Sequence, residues 1–100
     1  MRQLLTDEPS PDAVFAANDL MAIGALRTLR ETGRRVPDDV AVVGFDDIEA
    51  AAYSAPALTT VRSPMADQAL AAVRLLLGLL AGQTGEPVIM PNELVVREST

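Results

Sequence analysis

The sequence predicts an α/β fold built on a parallel βαβ unit, and three observations carry that expectation. Two short apolar runs, Ala13 to Ala17 and Val40 to Val43, are bounded by turn-forming residues, the pattern of buried strands. Between them, Asp19 to Thr32 has helix-forming composition and an apolar stripe at Ala22, Ile23, Leu26 and Leu29. Each apolar run is followed by a polar residue, Asn18 after the first and Asp46 after the second. In open α/β sheets ligands bind beyond the carboxyl ends of parallel strands, so these two side chains are the first candidates for a site.

Taken in order, residues 1 to 6 read as the end of a helix whose start is missing. Glu8-Pro9-Ser10-Pro11-Asp12 is a breaker cluster and therefore a loop. Asn18 stands at the N-cap of the helix, with Asp19 in its first turn. Gly33 fits the C′ position, where a left-handed backbone costs glycine little. A strand, a helix and a strand at this spacing form a crossover with parallel strands and right-handed connection. In the second run Gly44 breaks the apolar pattern, Phe45 follows, and Asp46 and Asp47 sit side by side. Ile48 to Ser54 predicts a short helix stopped by Pro56, and Leu58 to Arg62 a third strand.

Ser63-Pro64 reads as a helix start, with Ser63 at the N-cap and Pro64 at the first helical position. The helix is expected from Pro64 to Ala81. Met65, Ala69, Val73, Leu76 and Leu80 share one face, and Leu70, Leu75, Leu77 and Leu79 widen it to almost the whole circumference. Such a helix wants cover on more than one side. After the turn Gly82 to Glu86, Pro87 to Met90 and Glu93 to Arg97 read as two short final strands.

Composition removes several kinds of chemistry. The 100 residues suit one small domain, and 49% are apolar, so a packed core is expected. There is no Cys and no His, which excludes disulfides, thiol nucleophiles, ordinary structural zinc and a Ser-His-Asp triad within the chain. No metal and no cofactor are expected. A net charge of −6 argues against a nucleic-acid surface on this chain itself. Neither phosphate-binding glycine fingerprint occurs. The N-terminus has acids where a signal peptide needs an apolar stretch, and no apolar run is long enough to span a bilayer. The expected location is the cytoplasm, with no membrane partner.

Asn18 and Asp46 follow strands joined by one crossover, so both can reach the same end of a sheet. An amide and a carboxylate suit neighbouring hydroxyls or ring nitrogens. Each also has a plainer reading, Asn18 as an N-cap and Asp46 as a turn residue or a cap for the next helix. Asp19 and Asp47 read as structural. Adjacent acids such as Asp46 and Asp47 point different ways and make a poor catalytic dyad, so no enzymatic activity is expected.

Several ordered motifs together resemble the LacI/GalR family of bacterial transcriptional repressors. Ala16-Ala17-Asn18-Asp19 through Gly24-Ala25 resembles the family's A-x-N-D-x-x-A-x-G-A segment. Val36-Pro37-Asp38-Asp39-Val40 through Gly44-Phe45-Asp46-Asp47 resembles V-P-x-D-(I/V)-x-V-x-G-(F/Y)-D-D. Pro56 to Val61 is similar to P-x-L-T-T-(V/I), and Leu94 to Thr100 to the usual family chain end, L-V-x-R-x-S-T.

The resemblance implies the C-terminal part of a periplasmic-binding-protein-like type I, Rossmann-like domain that binds a small effector, expected to be a sugar, between two subdomains. It implies effector contacts at Asn18 and Asp46, with Ser63 and Met65 near the cleft. It implies a homodimer, or higher self-association, with Leu20, Ile23, Ala51 and Tyr53 at the subunit interface. Operator DNA would be bound only through a helix-turn-helix outside this chain. Residues 13 to 62 would form the core of the C-terminal subdomain, 63 to 81 a helix belonging against the first subdomain, and 87 to 98 the terminal strands. On this reading the isolated chain holds half a cleft and binds effector weakly or not at all. The alternatives are a periplasmic sugar receptor of a transporter, sharing the fold, and a fragment of a Rossmann-like enzyme.

Overall fold

The computed structural model describes residues 1–100. The chain divides into two compact units, Met1–Arg62 with Glu93–Thr100, and Ser63–Asn92. The first unit contains α1 (Arg2–Asp7), β1 (Ala13–Phe15), α2 (Asp19–Glu31), β2 (Ala41–Phe45), α3 (Glu49–Tyr53) and β3 (Thr59–Arg62). The second contains α4 (Met65–Leu80), and the chain then re-enters the first unit as β4 (Glu93–Val95).

The four strands form one sheet in the order β1-β2-β3-β4. β1, β2 and β3 are parallel, in the register Val14↔Val42 and Gly44↔Thr60, while β4 runs antiparallel to β3. The α/β class and the parallel βαβ unit are therefore as the sequence predicts. β1 is shorter and wetter than its apolar run suggests. It is the edge of the sheet, so Phe15 is exposed and Val14 half-buried.

The core of this unit is small and lies between the sheet and α2. Leu26 and Leu29 of α2 pack on Val40, Val42 and Leu58, with Ala16, Ala22 and Ala51 filling the gaps. Helix α2 ends as its composition requires. Gly33 takes φ 76°, and the Gly33 and Arg34 amides donate to the carbonyls of Arg30 and Leu29 at 3.0 and 2.9 Å, the paired closure of a Schellman motif.

Gly44, expected to break the second strand, instead continues it. A Cβ there would collide with Oδ1 of Asp19, so the glycine leaves the space into which that carboxylate fits. The C-terminal residues close the sheet through side chains. Ser99 donates from Oγ to the Val42 carbonyl at 2.6 Å and accepts from the Thr59 amide at 2.8 Å, while its own carbonyl accepts from the Val42 amide. Ser99 thereby pairs with β2 just before β3 begins. This is the structural use of the Ser-Thr chain end.

In the second unit α4 has no buried residue. Gln68, Ala71, Ala72 and Leu75 line a hollow with Val88 and Met90 of the returning segment, while Leu70, Val73, Leu77 and Leu80 are exposed. Two expectations fail here. Pro87 to Met90 is not a strand: it forms no ladder and runs as irregular chain beside α4. Ser63 does not cap α4 and Pro64 is not its first residue. Pro64 has φ −75° and ψ 64°, and the Met65 amide donates to the Ser63 carbonyl at 2.8 Å. That is an inverse γ-turn centred on the proline, which delays the helix by one residue. The residue before a proline is also biased away from helical backbone, which keeps Ser63 out of the cap geometry.

Candidate functional site

The carboxyl ends of β1 and β2 carry the two residues singled out by the sequence. Asn18 follows β1 and Asp46 follows β2 directly, and those strands are hydrogen-bonded neighbours. Asn18 has extended backbone and its Oδ1 accepts from the Met21 amide at 2.9 Å. The plain N-cap reading is therefore correct. It does not use the whole side chain, because the amide nitrogen of the half-buried Asn18 still has its donors.

Asp46 and its neighbour divide two roles between them. Asp47 is nearly buried and receives Arg62 Nε at 2.6 Å and an Arg97 guanidinium nitrogen at 2.7 Å. Burial by itself would raise the Asp47 carboxyl, but the hydrogen bonds from Arg97 and Arg62 outweigh it and hold the group below the usual carboxylate range. Arg97 also donates to the Leu58 carbonyl at 2.8 Å, so Asp47 ties the loop after β2 to the C-terminal tail. Asp46 is exposed, and the loop's ion pairs all go to Asp47.

The backbone at these residues is unusual. Asp46 has φ 108° and Asp47 φ 55°, two consecutive non-glycine residues in left-handed territory. Such conformations cost of order 1–3 kcal/mol each where they are sparsely populated, and surrounding contacts must hold them. The Asp46 amide donates to the Val61 carbonyl at 2.9 Å, and the Ile48 amide donates to Asp19 Oδ2 at 2.8 Å. The loop is pinned on both sides of Asp47, and it presents the Asp46 carboxylate to solvent beyond the strand ends. A free carboxylate and a free amide donor on adjacent strand ends can accept from and donate to the hydroxyls of one small polar molecule.

The other expected residues are placed differently. Met65 belongs to the second unit, where it is the first residue of α4 and is 63% exposed. Ser63 also belongs to that unit. Of the expected interface residues, Leu20 and Tyr53 are 70% and 80% exposed. Ile23 is half-buried against the core. Ala51 is a correction, because it is fully buried in the core and offers no surface to another molecule. Helix α3 is a single short turn-and-a-half whose one buried position is Ala51. The alanine repeat Ala50-Ala51-Ala52 could not show which of its members faces inward.

Sequence reasoning understated Asp19 and Thr60. Both are fully buried, and Thr60 Oγ1 donates to Asp19 Oδ1. The available signal was an acid next to an N-cap asparagine, paired with a glycine in the facing strand. No group of His, Cys, Asp or Glu is arranged to hold a metal ion, and no helix is long and apolar enough to cross a membrane.

Comparison with known proteins places this geometry. The sequence profile of the periplasmic binding protein-like domain family matches residues 1–100. The chain belongs to that family. Within it the chain is of the LacI/GalR type. It is 50% identical over 101 residues to the HTH-type transcriptional regulator CelR of Thermobifida fusca, covering 99% of this chain and 30% of that protein. It is 41% identical to the repressor PurR of Mannheimia succiniciproducens, over 99% of this chain and 30% of the relative. Among solved structures, a complex of the regulator CelR with cellobiose superposes with TM-score 0.92 at 48% identity, over 99% of this chain and 31% of that one. The lac repressor dimer bound to operator and the anti-inducer ONPF gives TM-score 0.88 at 39% identity, over 98% of this chain and 35% of that one. The chain thus spans about a third of the length of the relatives it matches.

Proposed function

We propose that this chain is the C-terminal part of a sugar-sensing domain in a LacI-type transcriptional regulator, with Asn18 and Asp46 as effector contacts. The observation that carries the reading is the pair of unengaged polar groups at adjacent strand ends, one of them on a loop held in a strained, doubly pinned conformation. The family's CelR structure holds cellobiose, and a LacI family regulator from Arthrobacter holds lactose. A carboxylate and an amide suit the vicinal hydroxyls of such sugars.

The chain performs no catalysis on this reading and works in the cytoplasm, as part of a dimer that reaches operator DNA through another domain. Leu20, Ile23 and Tyr53 belong to the dimer surface. Residues 63 to 81 pack on the other subdomain of the whole protein, which supplies the cover that α4 lacks.

A chimera tests the function. These 100 residues replace the matching segment of Thermobifida fusca CelR, and cellobiose and lactose binding are measured by calorimetry. The expected result is sugar binding that Asn18→Ala or Asp46→Ala weakens by about tenfold or more, the loss of hydrogen bonds to a polar ligand. A folded chimera that binds neither sugar, or whose affinity ignores both substitutions, contradicts the proposal.

A further inference from the structure

We propose that Asp19 is the positioning residue of this site, a buried strut that holds Asp46 in place without touching the effector. The inference rests on the effector reading of Asn18 and Asp46, but its geometry stands by itself. Asp19 is fully buried. Its two carboxylate oxygens take partners from two different segments, Thr60 Oγ1 of β3 and the Ile48 amide after the aspartate pair, the second at 2.8 Å. As the first residue of α2 it also adjoins Asn18. One side chain therefore connects the helix start that carries Asn18, the third strand, and the loop that carries Asp46.

The neighbouring groups fit that purpose. The arginines of this region, Arg62 and Arg97, both go to Asp47, so Asp19 is held by hydrogen bonds and by the positive end of α2. Burying a carboxylate without a cation is unfavourable unless its oxygens are satisfied. A threonine or serine pair could join helix and strand more cheaply, so the carboxylate's second oxygen, on Ile48, is the informative part. Gly44 confirms the tightness, since any side chain there would meet Asp19 Oδ1. The loop is held at three points: the backbone bond from Asp46 to Val61, the pairs of Asp47 with Arg62 and Arg97, and the Ile48 amide on Asp19. Removing Asp19 frees the Ile48 end of the loop, and with it the backbone that sets the direction of the Asp46 carboxylate.

The test reads the loop in the unliganded 100-residue chain by amide chemical shifts and hydrogen exchange. Asp19→Ala is expected to shift the resonances of Asp46, Asp47 and Ile48. It should speed exchange of the Ile48 amide by about tenfold, the size of one lost hydrogen bond, while the Leu29 and Val42 amides keep their protection. Asp19→Asn keeps an acceptor for Ile48 and a donor for Thr60, and is expected to restore the loop. Thr60→Val removes only the hydroxyl and serves if the alanine variant does not fold; it should give a smaller change in the same residues. Unmoved loop resonances, equal loss of protection at Leu29 and Val42, or an asparagine variant as disturbed as the alanine one would overturn the proposal.

Cellobiose binding by the chimera then separates the two readings. Asp19→Ala should weaken it about as much as Asp46→Ala, with recovery in Asp19→Asn. If the unsubstituted chimera binds no sugar while the loop responds as described, the effector reading fails and the strut stands.

Discussion

The two units place their apolar and polar residues in opposite ways. In the first, a modest core of alanines, valines and leucines is joined by a buried polar network, Asp19–Thr60–Ile48 and Ser99–Thr59–Val42. In the second, a leucine-rich helix has no buried residue. The contrast teaches where specificity resides. A small sheet reaches a single register by satisfying polar groups at fixed points, whereas α4 has apolar area in excess and nothing within its own unit to fix its partner. The first unit holds side chains at fixed points; the second leaves the leucines of its helix exposed.

Substitutions can break this contrast, beginning with the largest effect. Leu29→Ala should destabilise the chain by about 2–5 kcal/mol in urea titrations followed by circular dichroism, because it opens a cavity in the only packed core of the first unit. Leu77→Ala on α4 should stay within about 0.5 kcal/mol. Similar losses for both would show that α4 is packed as firmly as α2. Next, Ser99→Ala should cost about 1–3 kcal/mol, since it leaves the Thr59 amide without its partner inside the sheet.

A pH effect follows from Asp47. Its carboxyl lies below the usual range when folded, so its stabilisation is fully present above the unfolded value of about 4 and is lost as pH falls through the lower folded value. Acid unfolding should therefore include a contribution below about pH 4 that Asp47→Asn removes, measured as the pH dependence of the urea midpoint. An unchanged acid limb in Asp47→Asn would show that the two arginines do not hold the group. The smallest effect on stability is expected from Leu70→Ser with Leu77→Ser. These should leave the first unit intact while sedimentation shows less self-association than in the parent chain. A parent chain that is strictly monomeric at high concentration would count against an exposed leucine face that seeks cover.

Most of the fold was legible because its signals are local. Periodicity marked α2 and α4, Asn18 and Gly33 marked the ends of α2, and the β-branched run marked β3. The misreadings arose where a distant contact decides a local conformation. Gly44 looks like a breaker until Asp19 is known to occupy the space over it. Ser63-Pro64 has the composition of a helix start, yet the proline adopts a turn. Ala51 cannot be told from Ala50 or Ala52 without the sheet beneath it. The candidate site was legible only in part: Asn18 and Asp46 could be proposed from strand ends, but the division of labour between Asp46 and Asp47 depends on Arg62 and Arg97, the latter fifty residues away.

The most direct measurement of the central claim is an amide-shift titration of the 100-residue chain with cellobiose. The account predicts weak binding, without saturation at micromolar sugar, and shifts confined to residues 17–19 and 45–48, absent in Asp46→Ala. Saturation at micromolar sugar, or shifts that avoid both strand ends, would contradict it.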